Sequence, residues 1–208
     1  MIRDLAQLTA LIQEEARKKA DKSYIVAIDG RSAAGKSTLA AVLGAEMGLD
    51  PVHMDDFFLP QELRTKERLG APGGNVHFER FAAEVLPRLS EEDAFSYTRF
   101  DCKIMDYGPA VSVRAGRIRL VEGAYSFHPY YGDYADLKIF YDIDPLLQLA
   151  RIEKRNGPEG LRNFQSRWIP MEESYHMNCH TLDQAELVIR AGHFFLSARE
   201  KKSVKEKS

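Results

Sequence analysis

The 208-residue sequence predicts a single α/β domain built on a mostly parallel sheet, and three observations carry that prediction. Short apolar, β-branched runs (SYIVAIDG, LKIFYDI, LVIRA) alternate with segments of helical period, as strands covered by helices on both faces do. A glycine-containing loop joins the first such run to the helix-forming segment KSTLAAVLGAEMGL, which is how a βαβ unit begins. The length suits one domain, and a 44% hydrophobic content is ample for one packed core.

Taken in order, Ile2, Leu5, Leu8, Leu11 and Ile12 recur at helical spacing, so residues 1–20 read as an amphipathic helix. The first strand follows, then the helix, which stops near Gly48. Asp50 to Met54 is a weak second strand. Residues 57–76 are Pro/Gly-rich and basic with no clear period, and a compact domain seldom carries so long a loop without a function. HFERFAAEVLPRL returns to helical spacing. Residues 95–100, 110–114 and 117–121 read as strands, with Arg114-Ala115-Gly116 as a hairpin turn. LKIFYDI is a buried strand, PLLQLARIEKRN a helix, Gly-Pro-Glu-Gly a break, and a longer helix runs to about Asn178 before the last strand, LVIRA. The domain is expected to span 1–195; the charged tail 196–208 has almost no apolar content and is expected to be disordered.

Composition excludes several classes. A net charge of −2 gives no global argument for a nucleic-acid or membrane partner. No apolar run approaches the roughly 20 residues that span a bilayer. Asp4, Glu14 and Glu15 are wrong for a leader peptide, and the two cysteines, Cys102 and Cys179, lack metal or redox spacing. A cytoplasmic location is the expectation, and a homo-oligomer is left open.

Gly30-Arg31-Ser32-Ala33-Ala34-Gly35-Lys36-Ser37 matches G-x-x-x-x-G-K-[ST] at every fixed position, between a strand and a helix as the motif requires. The glycines let successive N–H groups point at phosphate oxygens, and the following helix adds its positive N-terminal end. Lys36 is placed for the β and γ phosphates and Ser37 for Mg²⁺, with Thr38 next in the same turn. ATP and Mg²⁺ are thus the expected cofactors. The D-x-x-G and N-K-x-D of switch GTPases are absent, as are the signature loop and terminal Asp-Glu pair of transport ATPases. At this length, a small-molecule kinase is the class that remains.

IDGRSAAGKST, MDDFF, RFDCKIMDYGPA, RLVEGAYSF and FYDIDPLLQLARIEKRN stand in the order and approximate spacing of the uridine kinase/phosphoribulokinase family, which the chain resembles from about residue 24 to 190. FQSRWIPMEESYHMN is similar to that family's helix after the lid. The resemblance implies a nucleoside-kinase-like three-layer P-loop sandwich, with a five-stranded, mostly parallel sheet, a small β-hairpin and a helical lid at about 151–168. It also implies γ-phosphoryl transfer to the hydroxyl of a small molecule, in the first instance a nucleoside. Another sugar-like or acidic alcohol, or a non-catalytic ATP-binding regulator, is the alternative.

Asp55 opens Asp-Asp-Phe-Phe at the carboxyl end of the second strand, where open α/β sheets keep ligands. An aspartate there can orient the acceptor hydroxyl, take its proton and join the Mg²⁺ shell. It aligns with the family's catalytic aspartate, while Asp56 replaces a serine and could share the work. Glu122, at the tip of a buried strand, is placed to hold Mg²⁺ through water. Arg151 and Arg155 share one helix face, and Arg162 and Arg167 follow the break. The resemblance implies that arginines here close over the nucleotide and stabilise the transferring phosphoryl group. It also aligns Asp101 with an aspartate that holds a substrate hydroxyl. His77, Tyr107, Arg64, Arg68, Tyr125 and His128 are further acceptor-side candidates, and Arg167 can serve that side too. The family's N-F-D-H-P segment is replaced by Gly74-Asn75-Val76-His77-Phe78, so the acceptor itself stays open.

Overall fold

The computed structural model describes residues 4–20, 22–191 and, for the backbone, 193–198. Helix α1 (Leu5–Lys18) starts where the Asp4 side chain accepts a hydrogen bond from the Gln7 N–H at 2.8 Å, and Arg17 and Lys18 sit at its negative end. Its buried face is Leu8, Ile12 and Ala16, as the spacing predicts; Ile2 lies outside the described residues. Strand β1 (Tyr24–Gly30) is buried at every position. Helix α2 (Lys36–Met47) ends at Gly48, whose φ of 66° is a left-handed cap.

Strand β2 is only Val52–His53 and runs into a 3₁₀ turn, Met54–Phe57. The segment expected to lack regular structure holds a second 3₁₀ turn (Gln61–Leu63) and helix α3 (Lys66–Gly70), and a Phe58–Val76 bridge closes its ends. These elements are too short to leave a period in the sequence. Helices α4 (Phe78–Glu84) and α5 (Leu86–Leu89) follow.

Strands β3 (Phe95–Asp101) and β4 (Asp106–Val113) form a separate antiparallel pair, turning through Cys102–Met105. This corrects the expected hairpin at Arg114-Ala115-Gly116. That stretch instead leads from β4 to strand β5 (Ile118–Glu122), which pairs with β1 and β2. Arg114 is held there by Asp50, through its guanidinium and backbone N–H alike. The near-continuous burial of β5 suits the centre of a parallel sheet, whereas β4 is largely exposed.

A 3₁₀ turn (Pro129–Tyr131) precedes strand β6 (Leu137–Asp142). Helix α6 (Pro145–Asn163) is capped by Asp144 and interrupted, as expected, at Gly157 with φ 71° and ψ 177°. One π-helical segment (Phe164–Trp168) joins it to α7 (Ile169–Asn178), followed by α8 (Thr181–Gln184), β7 (Leu187–Arg190) and β8 (His193–Ala198). The main sheet has the order β2-β5-β1-β6-β7-β8. Its first five strands are parallel, as expected, and β8 adds an antiparallel edge that the sequence reading did not anticipate. The tail from 199 onward lies outside the described residues.

Apolar side chains pack on both faces of the sheet. One cluster joins α1 and α2 to the sheet through Leu8, Ile12, Val26, Leu43 and Ile139. The other joins α4, the hairpin and α7 through Met54, Phe57, Phe81, Tyr97 and Tyr175. The carboxyl ends of β1, β2 and β5 therefore meet at one rim, where ligands of open α/β sheets bind.

Candidate functional site

At that rim the P-loop turns back on itself. Gly30 has φ 134°, and a Cβ there would lie 2.1 Å from the Tyr141 carbonyl oxygen, so only glycine fits. The buried Lys36 ammonium donates to the Gly30 and Arg31 carbonyls at 2.6 and 2.9 Å. The Ser37 hydroxyl donates to Glu122 Oε2 at 3.2 Å, and Glu122 Oε1 lies 2.5 Å from His53 Nδ1. Register explains the grouping, because Ile28 and His53 both pair with Glu122 across neighbouring strands. The hydrogen bond that the ring donates to Glu122 holds the His53 imidazole above its ordinary pKa, with the nearby acidic charges adding to it.

Asp55 stands on the 3₁₀ turn after β2, reached by solvent yet crowded by the cleft walls. Desolvation pushes its carboxyl above the ordinary aspartate range, and the charge of Glu122 pushes the same way. The Asp55 and Glu122 carboxylates and the Ser37 hydroxyl are a hard-oxygen donor set suited to Mg²⁺, which takes few protein ligands and completes its shell with phosphate and water. Among the described residues no three His, Cys, Asp or Glu side chains form a metal cage, so such a cation would depend on the nucleotide's own phosphates.

These residues open on a cleft of ≈ 640 Å³ that continues past Asp55 between Phe58, Asn75 and Tyr125. Arg151, Arg155 and Arg167 line its other wall. Arg151 donates to the Ala33 and Ala34 carbonyls at 3.1 and 3.0 Å, joining α6 to the P-loop. Arg155 lies over the Phe164 ring and Arg167 over the Trp168 ring. Ser32, Ala33, Gly35, Lys36, Ser37 and Thr38 line the cleft, with Gly30 and Ala34 behind them.

Several sequence candidates lie elsewhere. Arg31 contributes backbone to the loop, but its guanidinium turns away to Asp142 and Glu173 at 2.5 and 2.6 Å. Asp101 ends strand β3, where its Oδ1 accepts from the Lys103 N–H of the hairpin turn, outside the cleft lining. His77 begins α4 with Nδ1 buried and unpartnered, and Tyr107 packs edge-on against Phe100; neither lines the cleft. Arg162 does not line it either. Asp56 accepts from the Tyr97 hydroxyl at 2.8 Å, which fastens the 3₁₀ turn to the hairpin. Arg68 forms a two-pronged pair with Glu79 and donates to the Gly74 and Val76 carbonyls, and His128 stacks on Phe78. Both hold the loop's shape.

Three residues of the site were not singled out from sequence. Glu172 on α7 is buried in the cleft wall, and its Oε2 accepts from the Ser32 N–H at 2.9 Å; burial raises its carboxyl and the Lys36 charge opposes that rise. Asn75 is buried with its Oδ1 unpartnered. Asp29, fully buried under the P-loop, accepts from the Gly30 and Phe127 N–H groups and the Tyr175 hydroxyl. Asp29 alone had a usable signal, as the acid closing the first strand.

Fold and site together define an α/β domain whose phosphate loop stands at the carboxyl rim of a parallel sheet. Comparison with known structures agrees. A possible uridine kinase from Bacillus stearothermophilus superposes with a TM-score of 0.60 at 18% identity, over 88% of this chain and 99% of that one. A proposed fructose transport system kinase from Silicibacter sp. TM1040 gives 0.67 at 24% identity, over 84% and 94%. Phosphoribulokinase from Rhodobacter spheroides gives 0.55 at 13% identity, over 89% and 83%. At these identities the likeness establishes the shared fold. No protein-family model matches the chain, and no curated protein matches it in sequence.

Proposed function

We propose that this protein is an ATP–Mg²⁺-dependent kinase that transfers the γ-phosphoryl group to a hydroxyl of a small polyhydroxy molecule of the nucleoside or sugar class. The observation that carries this reading is the opening of Asp55 into the same cleft as Lys36, Ser37 and Glu122. Nucleotide phosphates placed on the P-loop then face a carboxylate able to orient and deprotonate an acceptor hydroxyl. Ser37, Asp55 and Glu122 would hold the Mg²⁺, which supplies neutralisation of phosphate charge. Arg151, Arg155 and Arg167 supply further positive charge where negative charge develops on the transferring group. The three kinase neighbours support this reading through their shared fold. Among the described residues no helix is long and apolar enough to cross a membrane.

The test is ADP release from ATP–Mg²⁺ with a panel of nucleosides, sugars, sugar acids and sugar phosphates. Stimulation by one acceptor class, lost together with nucleotide affinity in Lys36→Ala, is the expected result. A Lys36→Ala variant that keeps full activity overturns it.

A further inference from the structure

The acceptor half of the cleft carries two polar groups that the phosphate chemistry leaves unused. Asn75 is 6% exposed, and its Oδ1 is buried without a hydrogen-bond partner. Asn75 and Tyr125 both line the cleft. Leaving a buried acceptor unpaired is unfavourable, so its place on a cleft wall points to a partner that arrives with the ligand.

The backbone around Asn75 is held firmly. The Leu59 N–H donates to the Asn75 carbonyl at 3.0 Å, and Arg68 Nε donates to the Gly74 carbonyl at 3.0 Å. A Cβ on Gly74 would lie 1.7 Å from the Arg68 carbonyl oxygen, so the turn presenting Asn75 accepts glycine alone there. Groups fixed in this way discriminate between ligands without reorganising.

Arg64 is the second group. Its Nε donates to the Leu59 carbonyl at 2.8 Å, and its side chain lines the cleft. Among the described residues no carboxylate lies within ion-pair distance of it, unlike Arg31, Arg68 and Arg114. A guanidinium fixed at Nε and facing a cleft keeps its outer N–H groups for a planar or tetrahedral anion.

Resting on the kinase reading above, we propose that Asn75 and Arg64 recognise the acceptor, and that the acceptor is a polyhydroxylated molecule bearing an anionic group. Asn75 Oδ1 receives a hydroxyl, Arg64 takes a carboxylate or phosphate, and Asp55 takes the reacting hydroxyl. Phe58 and Tyr125 form the apolar wall between them.

The experiment is calorimetric titration of the full chain, first with AMP-PNP–Mg²⁺ and then with D-gluconate, D-ribose 5-phosphate and D-ribose. Absent AMP-PNP binding counts against the kinase reading, and the three acceptor probes are then titrated without nucleotide. At least one charged polyol is expected to bind tenfold or more tightly than ribose; gluconate or ribose 5-phosphate as the winner identifies carboxylate or phosphate as the anion. Arg64→Gln should remove that preference and Arg64→Lys keep part of it. The near-isosteric Asn75→Leu should weaken the charged polyol by about tenfold with AMP-PNP affinity unchanged. Equal binding of ribose and the charged probes, no binding of either charged probe, or a preference that survives Arg64→Gln overturns the proposal.

Discussion

The Glu172 side chain accepts a hydrogen bond from the Ser32 N–H at 2.9 Å, so helix α7 meets the phosphate loop through an acidic group. Glu173 on the same helix pairs with Arg31, and Tyr175, two residues on, bonds Asp29 beneath the loop. One helix thus fixes the P-loop within a single turn, and its first contact is a buried carboxyl group beside a phosphate site. Glu172→Gln keeps the size and an acceptor oxygen while removing the ionisable carboxyl. ATP–Mg²⁺ affinity is expected to rise by roughly three- to tenfold at neutral pH. Nucleotide titration checks this, and unchanged or weaker binding would refute the repulsion.

Asp55 and Asp56 are neighbours with opposite surroundings. Asp55 opens on the cleft, whereas Asp56 is engaged by Tyr97. Asp55→Asn should keep nucleotide affinity and lose about 10²–10⁴ in kcat. Asp56→Asn should stay within a fewfold of the parent in kcat and act mainly on the melting temperature. Steady-state rates on the two variants decide the matter, and equal losses would reject the division of roles.

Asp29 depends on Tyr175 for one of its hydrogen bonds, at 2.7 Å in a site with no solvent. Burial pushes the Asp29 carboxyl up, and the Tyr175 hydroxyl is foremost among the groups that hold it down. Tyr175→Phe removes that donor while keeping the ring, at a cost of about 1–3 kcal/mol. Thermal unfolding should show a drop of roughly 2–4 °C per kcal/mol for a chain of this size. An unshifted midpoint would mean that the bond contributes nothing net.

His176 packs edge-on against Phe140, with Nδ1 2.8 Å from the Thr181 hydroxyl and Nε2 buried without a partner. Burial, with the charges of Arg31 and Lys36 acting the same way, lowers its pKa to about 3. The unfolded imidazole binds a proton near pH 6.5 while the folded one does not. Its contribution to stability is therefore fully present above about pH 6.5 and lost progressively as pH falls toward 3, by at most about 1.4 kcal/mol per pH unit. Denaturant unfolding of the parent and of His176→Asn across this window should give a shallower acid slope for the variant. Parallel slopes would remove His176 from the effect.

What the sequence determined is local. The spacing from Gly30 to Ser37 dictates a phosphate loop because its groups are chain neighbours, and strand β1 and helix α2 follow from short-range pattern. Asp55 and Glu122 were legible because strand ends in a parallel sheet gather at one rim. The tertiary structure decided what depends on distant chain meeting chain. Glu172 reaches Ser32 across 140 residues of sequence, and nothing in Met-Glu-Glu distinguishes it from a solvated helix face. The pairing of β5 with β1 rather than β4, and the place of Asp101 at the end of β3, follow from burial and register, which a linear pattern does not carry. Asn75 became a candidate only because the folded loop shields its amide oxygen from water and gives it no partner. Composition and spacing record which groups a chain has; packing settles which of them are left unsatisfied at a cleft.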